Sequence, residues 1–205
     1  MVAMLAGGIN AQVATDLPEL FVNASRVANP APVGSFAMPV SALRYEPLVD
    51  VQGRNLAEGQ ADIIVRGGTF ENTGFRLGAV TLLDPQTGHY LAEIPVAPAM
   101  LGHPAVRTGV DNALASTNVT VGTILYGWRP ITDGGQLAVG AGTDDLFRAE
   151  LYQGVAQQAE GGQIWAADLE YARSEGDGTV AYGEHDFQRI GGRLQLRTTT
   201  SQTDL

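Results

Sequence analysis

Beyond Gly134 the chain alternates apolar and polar residues with a period of two, the spacing of a β-strand whose faces meet different surroundings. Over residues 165–172 one face carries Trp165, Ala167, Leu169 and Tyr171, and the other Ala166, Asp168, Glu170 and Ala172. Residues 190–197 split more sharply, with Ile190, Gly192, Leu194 and Leu196 against Gly191, Arg193, Gln195 and Arg197. Phe147, Ala149 and Leu151 against Arg148 and Glu150 repeat the pattern more weakly, and polar turns such as residues 174–178 join the segments. This predicts about four antiparallel strands linked as hairpins. Two settings fit such stripes: a soluble sheet with its polar face in water, and a membrane barrel wall with a polar lumen. Trp165 and Tyr171, on the apolar face, are the aromatic type that barrels place at the water interface.

The front of the chain has shorter runs. Val49-Asp50-Val51 and Ile63-Ile64-Val65 read as strands separated by a polar, glycine-bounded loop over residues 52–60. A second polar loop, 66–74, leads into a strand over 78–83, and residues 84–89 make the next reversal. Residues 96–101 read as a short helix or an irregular stretch broken by Pro98, and 119–126 as one or two more strands before Pro130. Between Thr15 and Pro39, the prolines at 18, 30, 32 and 39 exclude a continuous helix and predict an extended arm. Its one apolar island, Leu20-Phe21-Val22, is a strand either paired internally or added to another protein's sheet. The first eleven residues are apolar and end in small residues. They read as the rear of a secretory signal cut near Ala11 or Ala14, or as an ordinary hydrophobic N-terminus, since no Lys or Arg precedes them.

Composition narrows the function. Twelve basic against 22 acidic residues give a net charge of −10, which disfavours nucleic acid and anionic lipid as main partners. With no cysteine among 205 residues, disulfides, thiolate metal sites and cysteine nucleophiles are excluded. Twenty-six glycines with 17% charged residues make a turn-rich, weakly helical chain. No run approaches the ~18 to 20 apolar residues of a spanning helix. His89, His103 and His185 stand far apart without partners at metal-ligand spacing, so no metal or cofactor is expected. Asp84, Asp144, Asp145 and Glu184 lie in turns, where they cap the turn or, alternatively, hold calcium. Neither a Gly-x-Ser-x-Gly elbow nor a phosphate-cradling glycine loop is present, and no catalytic constellation emerges.

Several segments together resemble a TonB-dependent outer-membrane receptor, the family in which an N-terminal plug sits inside a large β-barrel. Residues 19–26, Glu-Leu-Phe-Val-Asn-Ala-Ser-Arg, look like its TonB box. Val49-Asp50-Val51, Ile64-Val65-Arg66-Gly67 and Leu82-Leu83-Asp84 look like successive plug strands, and residues 106–109 with 113–124 look like the plug's closing segment in degraded form. Two departures mark a divergent subgroup: residues 108–115 lack the family's proline, and Asp84-Pro85 replaces the usual Asp-Gly turn.

The resemblance implies an α+β plug, a small mixed sheet with short helices, followed by antiparallel hairpins of an incomplete transmembrane barrel. Its divisions are a signal remnant (1–14), a flexible arm with the TonB box (15–39), the plug (40–133) and the first barrel strands (134–205). It implies a bacterial outer-membrane location and TonB-dependent uptake of a siderophore-iron complex, cobalamin or an oligosaccharide. TonB would add a strand at Leu20, Phe21, Val22, Asn23 and Ala24. An extracellular small molecule would meet the loop residues Arg54, Asn55, Glu58, His89 and Tyr90, and Arg66 would pair with a carboxylate of the wall. The roughly 70 residues left after the plug cannot close a barrel whose strands need about 9 to 11 residues each, so a truncated gene is expected. The competing reading is a soluble secreted β-sandwich that binds carbohydrate through Trp165 and Tyr171.

Overall fold

The computed structural model describes residues 38–54, 60–117, 119–178 and 181–205. Eleven strands and little helix make up these residues, and nearly all strand pairs are antiparallel. A tight helical segment, Pro39–Tyr45, precedes the hairpin β1 (Val49–Gly53) and β2 (Ala61–Val65), paired from Val49↔Val65 to Gly53↔Ala61. A four-stranded sheet follows in the order β4 (Val80–Leu82), β3 (Thr73–Leu77), β6 (Gly122–Tyr126), β5 (Ala105–Thr108). It is mixed, because β3 and β6 run parallel with Phe75 opposite Ile124. The one α-helical turn among the described residues, α1 (Val110–Ala113), lies between β5 and β6.

Burial explains this arrangement. β2, β3 and β6 share one pattern, buried at four positions of five. A strand covered on both faces reads as continuous rather than alternating. Ile63, Val65, Phe75, Ile124 and Tyr126 from these strands meet Leu43, Ala92 and Ile94 in one core. The buried Tyr126 hydroxyl donates to the Pro39 carbonyl at 3.2 Å. Gly122 is required by a close approach: a Cβ there would lie 2.8 Å from a Val65 methyl and 3.0 Å from the Arg107 carbonyl oxygen.

The rest of the chain is one sheet in sequence order: β7 (Gly134–Ala141), β8 (Phe147–Gln158), β9 (Ile164–Gly176), β10 (His185–Arg197) and β11 (Gln202–Asp204). Every neighbouring pair is antiparallel. The alternating stripes therefore do form hairpins, in five strands rather than four, the fifth being three residues long.

Three local expectations change. Residues 66–74, read as loop, contain the tight turn Phe70–Asn72 and the first two residues of β3. The strand expected over 78–83 is confined to Val80–Leu82, and the one expected over 119–126 begins only at Gly122. The segment 20–24 and residues Asn55 and Glu58 lie outside the described residues.

The core defines a stability test. Phe75→Ala, at a side chain 1% exposed, is expected to cost about 3–5 kcal/mol. Val110→Ala, at 87% exposure, should stay within roughly 0.5 kcal/mol. Denaturant unfolding of the two variants in parallel measures the difference.

Candidate functional site

The long sheet has its polarity reversed relative to a soluble sheet. Its packed face carries Glu150, Asp168, Glu170, Arg189, Arg193 and Gln195, all buried. Its open face carries Leu137, Leu151, Tyr171 and Ile190, which stand in one row because Leu137 pairs with Leu151, Leu151 with Tyr171, and Tyr171 with Ile190. Ile190 is 75% exposed and Leu137 72%, and Val139, Val155, Trp165, Leu169 and Leu194 extend the apolar surface.

Charges can lie under this sheet because they close on one another. Glu170, 0% exposed, accepts from Arg189 through Nε at 3.1 Å to each oxygen and Nη2 at 2.8 Å. One level down, Arg193 Nη2 donates to Asp168 Oδ2 at 2.7 Å, and Arg193 Nη1 donates to Asp204 of β11 at 3.3 Å. The Tyr152 hydroxyl donates to Asp168, and the Gln195 amide to Asp204. Isolated charges in such a place would cost several kcal/mol each, so each is met within the sheet.

Few polar contacts reach the front half, and they concentrate on one segment. Gln195 accepts from the Ile131 N–H at 3.0 Å, Arg197 donates to the Ile131 carbonyl at 3.0 Å, and the Arg193 guanidinium lies 5.1 Å from the Trp128 ring. These three contacts fix residues 128–131, the stretch that enters β7.

A second cluster forms around Asp62, a carboxylate placed in the otherwise apolar β2. Arg54, at the exit of β1, grips it with Nε at 3.0 Å and Nη2 at 2.7 Å. His89 Nε2 lies 3.2 Å from the other side of the carboxylate, in ion-pair range but off the line of a hydrogen bond. The His89 ring rests against Phe70 at 4.4 Å between centroids. Tyr90 packs on Phe75 at 5.5 Å, and its hydroxyl donates to the Glu93 carbonyl. Three of the sequence candidates, Arg54, His89 and Tyr90, are thus neighbours, drawn together by Asp62 and Phe75, which sequence reasoning did not single out. A lone Asp in an apolar strand was the available signal, because a buried carboxylate needs a cation.

Arg66 is exposed at a left-handed φ of 52°, ahead of Gly67 at 71°. Its N–H donates to the Leu48 carbonyl at 2.7 Å, and no ion pair of its side chain is found among the described residues. Glu170 and Asp168 of the long sheet hold Arg189 and Arg193.

The turns at this end come together. Gln60 donates to the Glu93 carboxylate, the Asp177 N–H donates to the Asp144 carbonyl at 2.8 Å, and Leu146 and Phe187 of the long sheet pack on the front core. The Arg54–Asp62–His89 cluster therefore stands at the end of the molecule where β7 turns into β8 and β9 into β10.

Two ionisation shifts follow from local structure. The Gln86 N–H and the Thr87 hydroxyl hold the Asp84 carboxyl below its usual range. Burial, with the Glu93 charge beside it, pushes the Tyr90 phenol up to about 12.

No family model matches the sequence, and no curated protein matches it. Among solved structures, the chain is similar to the pyoverdine outer-membrane receptor FpvA from Pseudomonas aeruginosa PAO1, bound to pyoverdine, with a TM-score of 0.42 and 14% identity. The likeness covers 76% of this chain and 25% of that one, so this chain spans about a quarter of that receptor's length.

The Tyr90 shift has a measurable sign. A phenol that ionises near 12 when folded and about 10 when unfolded contributes stability fully below the lower value and loses it as pH rises through the upper. Between pH 10 and 12 the urea midpoint should fall, and Tyr90→Phe should fall less steeply. Equal slopes would remove Tyr90 from the titration.

Proposed function

We propose that this chain is the plug and first wall strands of a TonB-dependent outer-membrane receptor, with residues 40–133 as plug, 134–205 as wall, and 15–39 as the arm carrying the TonB box after a signal remnant over 1–14. The reversed polarity of the long sheet carries the reading. A sheet whose buried face holds ion pairs and whose open face holds Leu137, Leu151, Tyr171 and Ile190 suits hydrocarbon outside and a polar lumen within. The front half lies on the lumen side, where a plug belongs.

The gathering of Arg54, His89 and Tyr90 at one end supports the second part of the proposal. In the intact receptor that end faces outward, and an external small molecule meets these residues together with Asn55 and Glu58. Uptake then proceeds by TonB adding a strand at Leu20, Phe21, Val22, Asn23 and Ala24 and pulling on the plug. Main-chain pairing supplies the affinity, so a loose motif suffices. Arg66, at its left-handed turn, pairs with a carboxylate of the wall.

The soluble sandwich reading keeps one point in its favour, since Trp165 and Tyr171 share an exposed face. A sandwich, however, buries its apolar faces against each other, and here the charged face is the covered one.

The two tryptophans separate the readings. Trp165 lies on the apolar face, and Trp128 packs against the front core. In bilayers with brominated phospholipid, Trp128→Phe, which leaves Trp165, should be strongly quenched, and Trp165→Phe should be quenched several-fold less. Equal quenching, with a chain monodisperse in detergent-free buffer, would end the receptor reading. For the arm, Leu20→Pro removes a main-chain donor, and binding to the purified periplasmic domain of TonB should weaken by roughly tenfold or more. Unchanged binding would move the pairing site elsewhere.

A further inference from the structure

The turn over residues 84–89 is closed within itself. The Gly88 N–H donates to the Asp84 carbonyl at 2.8 Å, and the Gln86 N–H and the Thr87 hydroxyl donate to the Asp84 carboxylate at 2.8 and 3.0 Å. Residues 85–88 are exposed. The polar tie between this turn and β2 is His89, whose Nε2 lies 3.2 Å from Asp62 Oδ1.

That tie depends on charge. Nε2 is shielded from solvent and forms no hydrogen bond, so an aligned N–H does not carry the contact. Both neutral forms of the ring lose it. With the proton on Nδ1, the Nε2 lone pair faces a carboxylate oxygen; with the proton on Nε2, the N–H is misaligned and the ring has no charge to compensate. The groups facing the ring come from every element packed on it. β2 contributes Asp62, already gripped by Arg54. The tight turn Phe70–Asn72 contributes the Phe70 ring at 4.4 Å and Glu71, and the 84–89 turn contributes Asp84, both carboxylates being within electrostatic reach of the imidazole. Three carboxylates thus stand around one guanidinium, and a positive imidazole offsets the excess.

We infer that His89 is a proton-operated latch: charged, it draws the 84–89 turn onto Asp62, and neutral, it lets the turn go. Imidazole changes charge between about pH 5 and 8. The tie is therefore present in mildly acid surroundings and lost as pH rises through that range. Asp62 keeps its bonds from Arg54 Nε and Nη2 in both states, so release is confined to the turn and does not spread to the loop after β1. What the latch controls rests on the receptor reading above. The turn leads into Tyr90, so the latch regulates how firmly the outward end presents His89 and Tyr90 to a ligand, more firmly in acid than at neutral pH.

Because the chain has no cysteine, a single introduced thiol can carry a spin label. With Gln86→Cys labelled in the full chain in detergent, electron paramagnetic resonance should show the mobile fraction rising roughly two- to fivefold between about pH 5.5 and 8. The same label in a His89→Gln background should be mobile at both pH values, with no rise. Asp62→Asn should also abolish the rise; circular dichroism checks its fold, and if it fails to fold, His89→Gln decides. A label at Val110→Cys, on α1, should not respond. Equal mobility of the Gln86 label at both pH values, a rise that survives His89→Gln, or an equal rise at Val110 overturns the latch. Brominated-lipid quenching of Trp165 in the same preparation tests the receptor reading separately. An unresponsive label with a quenched Trp165 removes the latch alone. A responsive label with an unquenched Trp165 keeps the latch and removes its ligand-facing role.

Discussion

The pairing of Glu170 with Arg189 sets the terms for the whole molecule. A carboxylate with no exposure is stable there only because a guanidinium from the next strand meets both of its oxygens. Side chains alternate strictly along a strand, so fixing Glu170 and Asp168 on the covered face places Leu169 and Tyr171 on the open one. A one-residue slip between β9 and β10 would turn Arg189 and Arg193 outward and leave both carboxylates buried without partners. The ion pairs therefore hold the register, and the register presents an apolar surface that water does not suit.

Because these charges are satisfied within the sheet, the front half docks on it through a narrow set of contacts. Ile131 offers its N–H and carbonyl to Gln195 and Arg197, and Trp128 lies on Arg193. Asp62 plays the matching role inside the front half, joining the loop after β1 to the turn before Tyr90 through Arg54 and His89. Both units use the same device, a shielded carboxylate gripped by an arginine, Asp62 by Arg54 and Asp168 by Arg193, which reaches on to Asp204.

Legibility followed the range of the interactions. β9 and β10 were readable because their period of two is written in consecutive residues, and β1 and β2 because β-branched pairs sit between glycine-bounded loops. β3 was missed: Thr73-Gly74-Phe75-Arg76-Leu77 contains a glycine and an arginine, and what makes it a strand is parallel pairing with β6, far along the chain. Arg54, His89 and Tyr90 were found as polar loop residues, but their assembly was not, since Asp62 was hidden in a strand.

The connectivity divides the chain kinetically. From β7 to β11 each strand pairs with its successor, so the sheet grows by short loop closures, one hairpin after another, the kind of local ordering that proceeds quickly. The front core is different, because Thr73 must find Gly122 before β3 and β6 can pair, and that closure comes before most of its stabilising contacts. A chain emerging N-terminus first thus carries its slow-forming part ahead of its fast one. An ordered hairpin sheet with a bare apolar face can stand beside a front half still seeking its central pair, and during that interval aggregation competes with completion of the fold.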